Sequence, residues 1–219
     1  MIITIDGPAA AGKGTLASAL AEKYKFAYFD TGMVYRAVGL QMILNHKDLT
    51  DENTAIKYAS DLTFPVMMKL AKNPEFRSSK GGQAASIVSA IKGVRAALLS
   101  MQQNFALNPV FADGTKANGV VYDGRDTGTV VCPNADLKLF VTASPEVRAK
   151  RRYDEFLQKG MPAVFNDVLA DIKARDERDS KRATAPLKPA EDAIIIDTSD
   201  MSINDVFAKV EAIIKEKRR

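Results

Sequence analysis

The chain has 219 residues, of which 46% are hydrophobic and 26% charged, and its net charge is +4 at neutral pH. This composition is typical of a globular protein with one substantial core, so we expect a single domain over 1–219. The one cysteine, Cys132, excludes an internal disulfide and a multi-cysteine metal site, and the one histidine, His46, excludes a histidine cluster. Catalysis by this chain must therefore rely on carboxylates, hydroxyls, lysine and arginine.

The sequence also limits the partners that we expect. No apolar run approaches the roughly 20 residues that cross a bilayer, and the chain begins Met1-Ile2-Ile3-Thr4-Ile5 without a charged leader. The one basic run, 215–219, is explained by a solvated helix end, and aromatic residues are scattered and make up only 7%. We therefore expect a cytosolic monomer with no membrane or nucleic-acid partner.

The N-terminal segment predicts the opening of an α/β unit. Residues 2–6 form an apolar run that suits a buried strand, 7–14 form a loop of small residues, and a helical pattern continues to about residue 24. Four more short apolar runs follow, separated by helical patterns, at 26–29, 120–122, 137–141 and 194–196. Five such runs predict a five-stranded parallel sheet flanked by helices.

Two stretches interrupt this alternation. Residues 61–86 contain two prolines and the pair Gly81-Gly82, and we interpret them as an irregular insertion outside the sheet. Residues 156–167 contain a glycine and a proline that break a helical region into two arms. We interpret this second stretch as a candidate lid.

Residues 7–15 carry the motif of a phosphate-binding loop, Gly7-Pro8-Ala9-Ala10-Ala11-Gly12-Lys13-Gly14-Thr15. Between a strand and a helix, the pattern G-x-x-x-x-G-K lets backbone N–H groups point at phosphate oxygens, and the lysine reaches the β- and γ-phosphates. The alternative is a turn of small residues. The motif predicts an ATP site in a P-loop NTPase-type fold.

Two oxygen-bearing side chains near this loop are candidate Mg²⁺ ligands. Thr15 is separated from Lys13 by Gly14, a variant similar to that of nucleoside monophosphate kinases, which leaves open whether Thr15 binds the metal directly or through water. Asp123 ends the third predicted strand, where P-loop enzymes place an acidic residue that helps hold the metal. A turn-forming aspartate is the alternative for Asp123.

Phosphoryl transfer also needs a site that fixes the acceptor and neutralises its charge. Arg36 follows the second predicted strand, at the sheet edge where α/β folds bind ligands, so it is either a bidentate phosphate clamp or a surface arginine. The loop after the third strand contains Arg125-Asp126, which an ordinary turn does not need. We expect Arg125 to contact phosphate and Asp126 to orient an arginine or the base.

A charged cluster at 175–182 has a helical period. At about 100° per residue, Arg175, Arg178, Asp179 and Arg182 fall on one face of a helix. Such a stripe is commonly a solvent-exposed face of i,i+4 pairs. Beside a phosphate loop and a lid, it instead indicates a cationic face that closes over the reacting phosphates.

In order and spacing, these motifs together resemble those of bacterial cytidylate kinases over nearly the whole chain. The matching segments are 7–15, 30–36, 123–131, 175–182 and Ala185-Pro186-Leu187. The resemblance implies transfer of the γ-phosphoryl group of ATP to CMP or dCMP with Mg²⁺, with 61–86 as the acceptor-binding insertion. The family loop commonly has Gly-Pro-Ser-Gly where this chain has Gly7-Pro8-Ala9-Ala10.

The resemblance also implies roles for individual residues. For the base of CMP, the resemblance implies Ser86 and Arg95, both on the helix after the insertion. For the phosphate it implies Arg36 and Arg125, and for the ribose Arg175 and Asp179. Further residues implied to bind CMP are Thr31, Tyr35 and Asp126. The expected catalytic residues are Lys13, Arg125, Asp126, Arg178 and Arg182, with Arg151 as a further contact to ATP.

Three alternatives remain at this stage. A P-loop kinase for another acceptor, such as UMP, AMP or a shikimate-like metabolite, would share the phosphate loop. A GTPase switch normally carries Asn-Lys-x-Asp for guanine, and this sequence does not contain that pattern. A nucleotide-dependent RNA-binding factor should show basic residues interleaved with exposed aromatics.

Overall fold

A computed structural model describes residues 1–217. Its five strands form one parallel sheet in the order β2-β3-β1-β4-β5. Their bounds are β1 Ile2–Asp6, β2 Ala27–Asp30, β3 Val120–Gly124, β4 Leu137–Thr142 and β5 Ile194–Asp197. The predicted α/β fold with a five-stranded parallel sheet is therefore confirmed.

Helices cover both faces of the sheet. In chain order they are α1 Lys13–Tyr24, α2 Gly32–Leu44, α3 Glu52–Ser60, α4 Phe64–Leu70, α5 Ser79–Val88, α6 Lys92–Leu107, α7 Pro145–Gln158, α8 Phe165–Lys181 and α9 Ile203–Lys217. A 3₁₀ turn at Pro74–Arg77 precedes α5, and a π-helical turn at Thr127–Val131 follows β3. The last two residues of the basic run, Arg218 and Arg219, lie outside the described residues.

Alternating side chains of the strands build a separate core on each face. On β3, Val120 and Tyr122 enter a cluster with residues of α2 to α6, whereas Val121 enters a cluster with α1 and α9. Successive side chains of a strand point to opposite faces, so a doubly covered sheet needs an apolar residue at each position. This explains why the strand segments of the sequence are largely apolar.

The stretch 61–86 adds no strand to the sheet, as expected, but it is helical rather than irregular. One proline lies in the first two positions of α4 and the other begins the 3₁₀ turn, where its missing N–H costs nothing. Gly81 lies inside α5, where a Cβ would come within 2.3 Å of the Glu75 carbonyl oxygen. Its glycine therefore permits close packing and does not break the helix.

The predicted break in the second helical region is also present. Helix α7 ends at Gln158, the chain turns through residues 159–164, and α8 then packs back against α7. Within residues 1–217, no single helix is long and apolar enough to cross a membrane. Helices α5 and α6 together have the length and composition of a broken span, but they are bent by 101° relative to each other.

Candidate active site

The carboxyl ends of the strands open into a cleft of about 840 Å³. Loops that follow β1, β2 and β3 form its floor, and α5, α6, α7 and α8 form its walls. Ligands of open α/β sheets bind at this edge. Every residue that the sequence predicted for the site lines the cleft except Gly7 and Pro8, which lie at the base of the phosphate loop.

The phosphate loop approaches the neighbouring strand very closely. A Cβ on Gly7 would come within 1.9 Å of the Val141 carbonyl oxygen, so only glycine fits there. Lys13 is 5% exposed, and its Nζ donates a hydrogen bond of 2.9 Å to the Pro8 carbonyl oxygen across the loop. Burial, together with the nearby Arg125 guanidinium, lowers the pKa of Lys13 to about 8. An anion bound in the loop would raise this pKa again.

Asp123 faces Lys13 from the end of β3, with 3.8 Å between Oδ1 and Nζ. Its Oδ2 accepts a weak hydrogen bond of 3.5 Å from the Tyr28 hydroxyl, and burial raises the pKa of Asp123. Thr15 is exposed and lines the same cleft. These hydroxyl and carboxylate oxygens are the donor types that Mg²⁺ prefers, and residues 1–217 offer no cluster of three or more potential metal-binding side chains.

Three arginines, Arg36, Arg125 and Arg175, lie together on the acceptor side of the cleft. Arg36 donates a hydrogen bond of 2.8 Å to the Phe76 carbonyl oxygen, and Gly82 leaves room for both Arg36 and Arg175. Arg125 pairs with Asp179 at 3.0 Å between Nε and Oδ2. Burial, with Arg125 adding to the effect, lowers the pKa of Arg175 to about 10. The concentration of cations suits a ligand with several negative charges.

A second corner of the cleft holds a buried ion pair between Arg95 and Asp126. The Arg95 guanidinium also lies over the Tyr35 ring, 5.3 Å from its centroid. Ser86 accepts a hydrogen bond of 3.3 Å from Arg178 Nε. The side chains of this corner can both donate and accept hydrogen bonds, which is what the edge of a base requires.

The expectation that Ser86 and Arg95 share one helix is wrong. Ser86 lies on α5 and Arg95 on α6, and the chain bends at Ser89, whose hydroxyl donates to the Ser86 carbonyl oxygen. Arg95 Nη1 in turn donates to the Ser89 carbonyl oxygen at 3.2 Å. The two residues therefore meet through the bend between two helices.

The cationic stripe of α8 is confirmed with one difference at its end. The helix ends at Lys181, and Arg182 has an extended backbone, yet its side chain still enters the cleft. Arg182 Nε donates to the Ala185 carbonyl oxygen at 2.6 Å. Arg175 Nε and Arg182 Nη2 are buried and have no hydrogen-bond partner among the described residues. Both donors are available to a ligand.

Arg151 lies at the opposite end of the cleft, beyond the phosphate loop. Its Nη1 and Nη2 donate to the hydroxyl and the carbonyl oxygen of Thr198 at 3.0 and 2.7 Å. Apolar side chains from α9 and the segment before it line this end, namely Met201, Ile203, Val206 and Phe207. A flat guanidinium beside apolar side chains suits an aromatic base.

Sequence reasoning missed three residues that organise the site. Asp6 accepts hydrogen bonds from the backbone N–H and hydroxyl of Thr127, both at 2.8 Å, and so anchors the turn that follows Asp126. Arg152 of α7 lines the cleft, and Arg148 of α7 bonds to the phosphate loop. Only Asp6 had a local signal, since it ends the first strand immediately before the loop.

The chain matches a family model and curated proteins over its full length. The model described as cytidylate kinase matches residues 3–216. Proteins named cytidylate kinase from Xanthobacter autotrophicus and Paramagnetospirillum magneticum are 49% and 50% identical, and each alignment covers at least 99% of both chains. That from Azorhizobium caulinodans is 48% identical over 100% of both chains.

Solved structures show similarity in the fold. A shikimate kinase from Bacteroides thetaiotaomicron has a TM-score of 0.51 and 14% identity, and covers 100% of this chain and 99% of its own. An uncharacterised protein from Eubacterium ventriosum has the same TM-score at 16% identity, covering 100% and 98%. At these identities the likeness concerns the fold alone.

Proposed function

The chain belongs to the cytidylate kinase family, and we infer that it is a nucleoside monophosphate kinase that transfers the γ-phosphoryl group of ATP to CMP or dCMP. The products are ADP and CDP or dCDP. The observation that carries this inference is the meeting of two anion-binding sites in one cleft. The phosphate loop with Lys13 lies at one side, and the arginines Arg36, Arg125, Arg175, Arg178 and Arg182 lie at the other.

On the donor side, the loop 7–15 and Lys13 would hold the β- and γ-phosphates of ATP, because backbone N–H groups, a helix N-terminus and a buried cation face the same space. Arg151 and the apolar side chains near it would receive the adenine. Thr15 and Asp123 would hold Mg²⁺, directly or through water. The ion would neutralise charge on the phosphates.

On the acceptor side, the corner formed by Arg95, Asp126 and Ser86 would hold the cytosine. Thr31 and Tyr35 complete the floor of this region, and the ribose and phosphate would meet the ion pair of Arg125 with Asp179, Arg175 and Arg36. From the insertion side, the cleft is lined by Arg77, Ser79, Gly82, Gln83, Ala85 and Ser86. This placement supports 61–86 as the acceptor-binding insertion.

The reaction needs no protein nucleophile. A phosphate oxygen of CMP attacks the γ-phosphorus while the bond from that phosphorus to the β–γ bridging oxygen breaks, and ADP leaves with the electron pair. Arg178, Arg182 and Lys13 would stabilise the transferring group, since positioning and charge account for most catalysis of this kind. The turn between α7 and α8, within 156–167, would act as a lid that excludes water.

The remaining proposals concern partners and location. We propose a monomer as the active form. A cytosolic location and the lack of membrane and nucleic-acid partners rest on the sequence alone.

An acceptor panel tests the function. ADP formation is measured with ATP·Mg²⁺ and CMP, dCMP, UMP, AMP, shikimate or no acceptor. We expect strong turnover with CMP or dCMP, and loss of it in Lys13→Met but not in Lys23→Met, an exposed lysine on the same helix. Preference for another acceptor would contradict the base assignment, and acceptor-independent hydrolysis would contradict the kinase assignment.

A further inference from the structure

A buried ion pair joins α7 to α8 just outside the cleft. Arg148 of α7 is 3% exposed, and its Nη1 and Nη2 donate two parallel hydrogen bonds to Oδ1 and Oδ2 of Asp176 at 3.0 and 2.6 Å. Neither residue lines the cleft. Bidentate pairs of this kind fix both distance and orientation, so this one determines how α8 lies against α7.

The same guanidinium reaches the phosphate loop. Arg148 Nη1 donates to the Ala9 carbonyl oxygen at 3.3 Å, and Nε donates to the Ala143 carbonyl oxygen at 2.8 Å, just beyond β4. One side chain therefore connects the sheet, the phosphate loop and α8. Asp176 directly follows Arg175 in α8 and lies one turn before Asp179, so its position sets that of the cationic face.

Apolar contacts support the same junction. The methyl groups of Ala9 and Ala10 pack against a small cluster formed by Ala149 of α7 and Val168 and Ile172 of α8. Ala10 has φ of 59°, in the left-handed region that residues other than glycine seldom adopt. A residue held there depends on its surroundings, and the α7–α8 hairpin provides them.

We propose that Arg148 and Asp176 are positioning residues that hold the arginines of α8 in register with the phosphate loop. The proposal rests on the proposed function, because it assigns these residues to the geometry of the same transfer. With the pair broken, α8 and the tip of the loop lose their common anchor. ATP binding and turnover then both fall, whereas the base corner of Arg95 and Asp126 keeps its own ion pair.

Asp176→Asn is the primary variant, because it keeps the shape and removes the charge, and Asp176→Glu restores a carboxylate. We expect kcat to fall about a hundredfold in Asp176→Asn, in line with displacements near 1 Å from distant mutations, and to recover at least partly in Asp176→Glu. Arg148→Lys keeps the charge but cannot form both parallel hydrogen bonds to the carboxylate, so its kinetics should resemble those of Asp176→Asn. It also serves as the second variant if Asp176→Asn does not fold.

Two controls separate positioning from general stability. Glu146→Gln removes an exposed pair with Lys173 that joins the same two helices at 3.1 Å, and neither residue lines the cleft. Ile214→Ala creates a cavity in the core on which α9 packs and should lower the melting temperature, and Ile214 does not line the cleft. Both should keep kcat close to that of the parent at a temperature where they are folded.

ATP and CMP affinities are measured separately by calorimetry. We expect ATP to bind at least tenfold more weakly to Asp176→Asn, and CMP to bind more weakly as well, because Arg175 and Asp179 lie on the displaced helix. The change in ATP affinity tests the role of the Arg148–Asp176 pair even if CMP is not the acceptor. If the parent protein does not phosphorylate CMP, only the proposed function is contradicted. The proposal would be overturned if kcat and ATP affinity of Asp176→Asn stayed within threefold of the parent values. It would also be overturned if they fell only as far as in Ile214→Ala when the two variants have similar melting temperatures.

Discussion

Arg125 Nε lies 3.0 Å from Asp179 Oδ2, which ties the loop after β3 to α8 across the cleft. Both side chains are largely buried, and although burial acts in the opposite direction, the three arginines Arg125, Arg175 and Arg182 lower the pKa of Asp179. The acceptor loop and the cationic helix are therefore held together by charge.

Asp179→Asn should weaken both folding and acceptor binding, because it leaves Arg125 buried without its partner. We expect a loss of about 3 kcal/mol in the free energy of unfolding and at least a tenfold increase in KM for CMP. Urea unfolding and steady-state kinetics measure the two effects. Asp171→Asn, an exposed position on the same helix near the entrance, is the comparison for solvent-facing charge. Unchanged stability and KM in Asp179→Asn would contradict the role of the pair.

Arg178→Ala and Arg182→Ala should each lower kcat by about a thousandfold, by analogy with arginines that stabilise a transferring phosphoryl group. Arg182 has a buried donor with no partner among the described residues, so it can offer that N–H to the phosphate. Lys181→Ala removes an adjacent cation that is 76% exposed and should stay near the parent rate. Rapid-quench or steady-state assays suffice, and a loss below tenfold in both arginine variants is incompatible with this role.

Ser86→Ala and Arg95→Met should reduce discrimination between CMP and UMP while leaving KM for ATP unchanged. The reason is that Arg95 is held by Asp126 and Ser86 faces Arg178 in one corner, remote from the phosphate loop. We expect the ratio of kcat/KM for CMP over UMP to fall by at least tenfold, consistent with about 1 to 3 kcal/mol for a lost polar contact. An unchanged ratio would show that the base is recognised elsewhere.

Stability should depend on pH through Asp6. Burial raises the pKa of Asp6 from 3.8 to about 6, despite its hydrogen bonds from Gly128 and Thr127. Between these values Asp6 holds a proton in the folded state that it has released in the unfolded state. The contribution of Asp6 to the free energy of unfolding therefore falls as the pH rises from about 4 to about 6, and it is constant above that. The difference amounts to roughly 3 kcal/mol.

The comparison variant for this effect is Asp6→Asn, which cannot titrate. The free energy of unfolding of the parent minus that of the variant should decline from pH 4 to pH 6.5 and then stay level. Chemical denaturation at four or five pH values gives the curve. A difference that is flat across this interval, or that rises with pH, is the contrary result.

Much of the architecture follows from local sequence. The five strands and the helix after the phosphate loop were predicted close to their observed bounds, because each strand is a short apolar run bounded by turn residues. The helices within 61–86 were missed, since the glycine and proline signals there serve other purposes: Gly81 allows close packing, and the prolines begin helical turns.

The site was predictable where its residues cluster in the sequence. The loops near Lys13 and Arg125 and the stripe on α8 meet in one cleft as expected. The bend at residues 89–91, between the helices of Ser86 and Arg95, contains no glycine or proline, and Gly93 lies inside α6. Arg148 and Asp176 are 28 residues apart and meet only because α7 and α8 fold back on each other, so no local pattern could pair them.

The most direct test follows the phosphorus atom itself. ATP labelled with ³²P at the γ-position is incubated with the protein, Mg²⁺ and CMP, and the products are separated by chromatography. The account predicts label in the terminal phosphate of CDP, formed only when CMP is present. Label appearing as inorganic phosphate at the same rate with and without CMP would contradict it.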